Sequence, residues 1–302
     1  MRAHSPLVLA TVTAAVLLVS GCEAKVYGVP VRVSATPAAT LASPLARAIL
    51  PSLAPPDAAF AGLRARIQRA TEEAAGDGAT ISVAVLDRAT RQMVANGNSE
   101  IVATASVAKL FIADDLLLRE AQGKVSLAPQ DRRSLEVMLR SSDDDAAEKF
   151  WNQDGGNAII TQVAARYGLA STIPPGDGRW WNTVSSVPDL IRYYDMLLDG
   201  SGGLAPEQTD IIISNLARST ATGIDGYPQR FGIPDGLYAE PVAVKQGWMC
   251  CIGDNWMHLS TGVVGTNRRY VVVIESLQPS DDGVARATIT HAVQTIFPGG
   301  RI

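Results

Sequence analysis

Apolar residues recur at three- and four-residue steps at Phe60, Leu63, Ile67, Ala70 and Ala74, a spacing that predicts an amphipathic helix over 60–75. The period then changes. Thr80–Asp87 (TISVAVLD) and 93–96 predict two strands around the turn Arg88-Ala89-Thr90-Arg91. Towards the other end, 239–247, 256–265 and 269–277 predict three more strands, the last with the buried run YVVVI. A closing helix follows, with Ala285, Ile289, Ala292 and Ile296 on one face. Between the strand groups, over 105–216, the periodicity is mostly helical. The order implies an α+β fold: an antiparallel five-stranded sheet flanked by helices, with a helical subdomain inserted between strands 2 and 3.

The first sixty residues obey other rules. An uncharged stretch over 7–20 is too short to span a bilayer comfortably but suits the apolar region of a secretory signal. It ends in Val19-Ser20-Gly21-Cys22, which resembles the lipobox of bacterial lipoproteins. That resemblance implies cleavage before Cys22, lipidation of Cys22, and an anchor on the extracytoplasmic face of the cell membrane. Over 22–59, six prolines among Ala, Ser, Thr and Val predict an extended tether, with room for a short helix around 41–53. The expected organisation is therefore a signal peptide over 1–21, a lipidated tether over 22–59 and a folded domain over 60–302.

Charge removes further classes. With 26 basic against 30 acidic residues and a formal net charge of −4, there is no field for gripping nucleic acid. The low lysine count, five in the sequence, makes each one worth locating. His258 and His291 have no spaced acidic or cysteine partner, so neither a histidine-based triad nor a metal site is expected, and no cofactor is implied. Asp143-Asp144-Asp145 reads as a helix N-terminus rather than a calcium loop, since no glycine or distal glutamate follows at the required spacing.

Two lysines stand out. Ser106-Val107-Ala108-Lys109 opens a helix, which puts Ser106 and Lys109 on one face within a single turn. Free N–H groups at a helix start favour developing negative charge, and a neutral lysine can take the serine's proton. Ser142-Asp143-Asp144 heads a second helical run, and Lys245-Gln246-Gly247 ends a predicted strand. In this order and context the three motifs resemble SxxK, SDN and KTG of the serine β-lactamases and penicillin-binding proteins. The resemblance covers residue 60 to the C-terminus.

It implies that Ser106 is the nucleophile and Lys109 its base, that Ser142 passes the proton to the leaving nitrogen, and that Lys245 polarises Ser142 and attracts the substrate carboxylate. The N–H groups of Ser106 and Trp248 would form the oxyanion hole, with Asp144, Gln246 and Gly247 at substrate-binding positions. The ligand class implied is a D-alanyl cell-wall peptide or a β-lactam.

Three departures from the family pattern carry consequences. Asp144 stands at the asparagine position, and a carboxylate there should stabilise protonated Lys109. Gln246 replaces the hydroxyl residue that holds the substrate carboxylate, although its amide could donate instead. No glutamate lies between Glu148 and Glu207, where the resembled β-lactamases keep a water-activating base; Asp177 is the only acid in PPGDGRWWNT. Hydrolysis of an acyl-enzyme should be slow without that base. Trp180 and Trp181 are core-like by default, with an aromatic floor for sugar or peptide as the alternative.

Cys250 and Cys251 are the remaining thiols once Cys22 is lipidated. They can be free, bonded between chains, or joined as a vicinal disulfide if the strand kinks at the turn signal Ile252-Gly253-Asp254-Asn255. Two functional classes remain: feeble acyl-serine chemistry, or a binding lipoprotein that uses the same cleft for a wall fragment or a protein partner.

Overall fold

The computed structural model describes residue 60 and residues 62–302. The expected signal peptide, Cys22 and the tether lie outside the described residues. Among these, no helix is long and apolar enough to cross a membrane.

In chain order, α1 (Leu63–Gly76) leads into the hairpin β1 (Thr80–Asp87) and β2 (Gln92–Ala95). The insert runs through β3 (Val102–Ala103), α2 (Ala108–Ala121), α3 (Pro129–Arg140), α4 (Asp144–Asp154), α5 (Asn157–Tyr167), β4 (Val184–Ser185), α6 (Val187–Asp199) and α7 (Pro206–Leu216). A long loop and the single turn α8 (Ile233–Gly236) precede β5 (Val242–Ile252), β6 (Asn255–Val264) and β7 (Tyr270–Gln278), and α9 (Asp282–Ile296) closes the fold. The five long strands form one antiparallel sheet in the order β2-β1-β7-β6-β5. The predicted α+β architecture is present.

The sheet is covered on both faces, which is why its central strands read as apolar runs rather than alternations. From β1, Ile81, Val83 and Val85 pack with Leu63, Ile67, Ile289 and Ile296 of α1 and α9. Its alternate residues Ala84 and Leu86 face the insert and join Phe111, Leu117 and Tyr193. Each such buried aliphatic contributes about 1.5–3 kcal/mol.

Boundaries moved for local reasons. Gly62, at φ 77, stands outside α1, so the helix starts at Leu63 rather than Phe60. β5 starts at Val242 rather than 239, directly after Pro241, which has no N–H to give to a ladder. It also runs on to Ile252, through an irregularity between Met249 and Ile252 that carries Cys250 and Cys251. β3 and β4 were not foreseen. They are two residues long, too short for any period, yet they matter: Thr104, next after β3, is tied to Thr183 by N–H···O and Oγ1–H···O bonds of 2.7 and 2.9 Å.

Candidate active site

Ten consecutive residues of α2, Ala108 to Leu117, are buried, because the helix runs through the middle of the insert. Lys109 is among them, with no exposed side-chain surface. A single 3-10 turn, Ala105–Val107, precedes α2 and holds Ser106 at the edge of a cavity. Ala105 there takes φ 45, a left-handed conformation uncommon for a residue with a Cβ, immediately before Ser106. Lys109 Nζ donates to Ser106 Oγ at 2.8 Å, so the spacing of the first motif does bring the two groups together.

The second and third motifs converge on the same ammonium. Lys109 Nζ also donates to the Ser142 carbonyl at 2.7 Å, and lies 3.4 Å from Ser142 Oγ. Lys245 Nζ, from β5, donates to Ser142 Oγ at 2.6 Å and to the Gln246 carbonyl at 3.0 Å. Ser142 adopts φ 57 just ahead of α4, whose N-cap Asp143 accepts from the Ala146 N–H. Asp144, the first residue of α4, turns its carboxylate onto Lys109: Oδ1 is 2.5 Å from Nζ, with the Asp144 side chain 68% exposed.

The electrostatics differ from expectation in sign. Asp144 does favour the charged form of Lys109, but burial outweighs it and pulls the Lys109 ammonium below the ordinary lysine range. Burial pushes Lys245 further down, helped by the neighbouring Lys109 charge. Desolvation therefore makes Lys109 a better base than its carboxylate partner alone suggests.

Gly247 sets how closely β5 approaches the Ser106 turn. A Cβ on it would stand 2.5 Å from the Thr104 carbonyl and 3.3 Å from Val107 Cγ2, so only glycine lets Trp248 come level with Ser106. Overpacking of this kind costs about 1–3 kcal/mol. Gly247→Ala should accordingly lower Tm by about 2–4 °C per kcal/mol lost. An unchanged melting curve by circular dichroism would mean that the strand can retreat without cost.

One sequence expectation needs correction. Gln246 does not serve the cleft: its amide donates to the carbonyls of Gln229 and Phe231 at 3.2 and 2.6 Å, and its Oε1 accepts from Ser260 at 2.9 Å. Strand alternation turns it away from the Lys245 side, and its amide has no donor left for a carboxylate. Asp177, the one acid of the PPGDGRWWNT loop, accepts from the Arg179 N–H and Asn182 Nδ2, bonds that hold its carboxyl below the usual range. Glu148, the last glutamate before the gap, accepts from the Trp180 indole at 3.1 Å.

The cavity beside Ser106 measures about 380 Å³ and is lined also by Asp144, Trp180, Trp181, Asp225, Tyr227, Trp248, Cys250 and Trp256. Trp180 is core-like, only 2% exposed, while Trp181 is half-buried, and both line the cavity. Cys250 and Cys251 are joined as a vicinal disulfide, with Cys250 at the cavity wall. Asp225 and Tyr227 were missed because they sit in a loop without periodicity. The available signal was an acid and an aromatic in a turn-forming DGYP run, since loops held by a rigid scaffold often carry binding groups. Among the described residues, no group of His, Cys, Asp and Glu is arranged to hold a metal.

Fold and cleft together define a protein of the β-lactamase and penicillin-binding-protein fold. A β-lactamase from Chitinophaga pinensis superposes with TM-score 0.63 at 15% identity, over 77% of this chain and 98% of that one. PBP-A superposes with TM-score 0.63 at 19% identity, over 79% and 95%. Within that fold, the chain belongs to the LppW lipoprotein family. It is 67% identical over 315 residues to "Putative lipoprotein LppW" of Mycobacterium tuberculosis and of Mycobacterium bovis, covering 100% of each chain. No protein-family model matches it.

Proposed function

We propose that the chain is a lipid-anchored protein of the extracytoplasmic face of the cell membrane whose Ser106 performs at most slow acyl-serine chemistry on D-alanyl cell-wall peptides or β-lactams. The observation that carries this reading is the unbroken series of side-chain contacts Ser106–Lys109–Ser142–Lys245. Ser106 Oγ attacks the carbonyl carbon as its proton moves to Lys109 Nζ. The C–N bond then breaks, and Ser142 gives its proton to the leaving nitrogen while Lys109 restores it. The N–H groups of Ser106 and Trp248 receive the oxyanion.

The same geometry limits the rate. Lys109 must be neutral to act, and Asp144 opposes that. Asp177 and Glu148 are committed elsewhere, so neither stands in for the missing loop glutamate that would activate water against the acyl-enzyme. With benzylpenicillin and several cephalosporins, intact-mass spectrometry should find a slowly formed, persistent adduct on Ser106, absent in Ser106→Ala. Turnover of a chromogenic cephalosporin above about 1 s⁻¹, an ordinary enzymatic rate, would overturn this reading. Absence of any adduct would favour the second reading, a cleft that binds a wall fragment or a protein partner without chemistry. The orientation of Gln246 favours that alternative, since the position that should hold the substrate carboxylate is turned inward.

The anchor is tested separately. Full-length protein should partition into the detergent phase of a Triton X-114 extraction, and Cys22→Ala should shift it to the aqueous phase. Equal partitioning of the two would exclude lipidation at Cys22.

A further inference from the structure

The N–H of Trp248 receives the oxyanion in the acyl-serine reading, yet the sheet holds it from one side only. β5 is an edge strand, paired with β6 alone. Its pairing turns irregular between Met249 and Ile252, directly after Trp248. Bulges bend a strand and re-aim its groups, so a donor placed just before one needs a further hold.

Tyr227 supplies that hold. Its ring stacks on Trp248 at 4.5 Å between centroids and 7° between planes. Its phenol oxygen lies 2.6 Å from His258 Nε2, and His258 stands directly opposite Trp248 on β6. The phenol also donates to Asp282 Oδ1. A phenol has one proton, so with Asp282 taking it the oxygen accepts from His258 Nε2. His258 Nδ1 then carries no proton, and it is buried without a hydrogen-bond partner among the described residues. Arg286, paired with Asp282 at 3.0 Å, sets its guanidinium 5.3 Å from the Tyr227 ring centroid. The backbone is tied as well: the Tyr227 N–H donates to Asp225 Oδ1 at 3.0 Å, and its carbonyl accepts from the Gly223 N–H at 2.8 Å. Ring, phenol and backbone of Tyr227 are all engaged within the protein.

We propose that Tyr227 is a positioning residue for the Ser106 reaction: it clamps Trp248 to its cross-strand partner His258 and so keeps the Trp248 N–H at the oxyanion position. The inference rests on the acyl-serine reading and names a residue to which that reading gives no role. Oxyanion donors act only when pre-oriented, and a misplacement of about 1 Å costs on the order of 100-fold in rate. Because Tyr227 also lines the cavity, a plain ligand contact is the competing role. The two separate kinetically: a lost contact raises the half-saturating concentration, whereas a lost position lowers the limiting rate.

The test measures acylation by benzylpenicillin against concentration, using rapid-quench mass spectrometry. In Tyr227→Leu the limiting rate should fall about 100-fold, with the half-saturating concentration changed less than about threefold. Partial unfolding would lower the fraction of chains acylated, not the rate of the rest. Tyr227→Phe keeps the ring on Trp248 and should stay within about fivefold of the parent, the worth of one hydroxyl's hydrogen bonds. A second measurement needs no reaction. With 5-fluorotryptophan in place of tryptophan, the Trp248 signal, assigned by its loss in Trp248→Phe, is followed by fluorine NMR. It should be one narrow line in the parent and in Tyr227→Phe, and should shift and broaden in Tyr227→Leu. If Tyr227→Leu does not fold, Arg286→Met, which takes the guanidinium from the ring, should move both readouts in the same direction, and a silent Arg286→Met would overturn the proposal.

An unmoved Trp248 line in Tyr227→Leu would also overturn it, since the ring would be held without Tyr227. A parent-like limiting rate, a loss confined to the half-saturating concentration, or a Tyr227→Phe as slow as Tyr227→Leu would do the same. A parent that forms no adduct at all would remove the acyl-serine reading, and the fluorine line would then decide by itself whether Tyr227 holds Trp248.

Discussion

Asp144→Asn should acylate with benzylpenicillin about 10-fold to 100-fold faster than the parent, the worth of one charge-assisted hydrogen bond. The parent clamps the Asp144 carboxylate 2.5 Å from Lys109 Nζ, so part of the lysine stays charged and cannot take the Ser106 proton. An amide keeps the size and can still accept a hydrogen bond, but it removes the charge that favours the ammonium. Burial, which already pulls Lys109 below its ordinary range, then acts unopposed by that partner. The Asp144 side chain is 68% exposed, so solvent screens the pair and places the effect towards the lower end of the range. The rise of acylation rate with pH should also move to lower pH in the variant. Rapid-quench mass spectrometry over pH 6–9 measures both. A variant with the parent's rate and profile would mean that the charge on Lys109 does not limit the reaction. The adduct should persist in either protein, since nothing in the substitution supplies a base for water. Adding Gln246→Thr gains nothing, because Gln246 satisfies Gln229, Phe231 and Ser260.

Much of this site could be read from sequence because its parts are local. A serine and a lysine one helical turn apart, a serine ahead of an acidic helix start and a lysine on a strand each carry their geometry in their spacing. That the three pieces share one cleft was implied by the family resemblance and not by spacing, and Ser106, Lys109, Ser142 and Lys245 do meet. Long-range balance was less accessible. Whether Lys109 is held charged depends on burial against an adjacent carboxylate, and no spacing rule states how deeply α2 is covered. Gln246 followed alternation along β5, but the carbonyls that its amide meets come from the 217–232 loop, whose path no periodicity announces. The aromatic wall was seen only as Trp180 and Trp181, whereas Tyr227, Trp248 and Trp256 reach it from a loop and two strands. Strand ends misread by a few residues had chemical causes, such as the missing N–H of Pro241.

Glu275→Gln should gain stability relative to the parent as the pH rises from 6 to 9. Glu275 lies on β7 opposite Ser82 of β1 and Leu259 of β6, in the covered part of the sheet, and is 2% exposed. Ser82 Oγ, opposite it on β1, is buried without a hydrogen-bond partner among the described residues. Burial, with a smaller push from the Glu100 charge, raises its pKa from 4.5 to about 8. The folded protein therefore keeps a proton that the unfolded chain releases above 4.5. The contribution to stability is full below that value and is lost as the pH climbs through about 8. Of the roughly 5 kcal/mol that linkage assigns to the whole shift, about 2.5–3 kcal/mol falls between pH 6 and 9, or on the order of 5–10 °C in Tm for a domain of this size. Glutamine retains the shape and has no proton to lose, so at pH 9 the variant should melt well above the parent. Asp115, raised by burial to about 6, and His258, lowered by burial to about 4, also shape the acid side of the profile. Because both are present in parent and variant, the difference between the two melting curves isolates Glu275. Parallel curves from pH 6 to 9 would mean that water or a local rearrangement solvates the carboxylate, and the buried acid would then have no hold on stability.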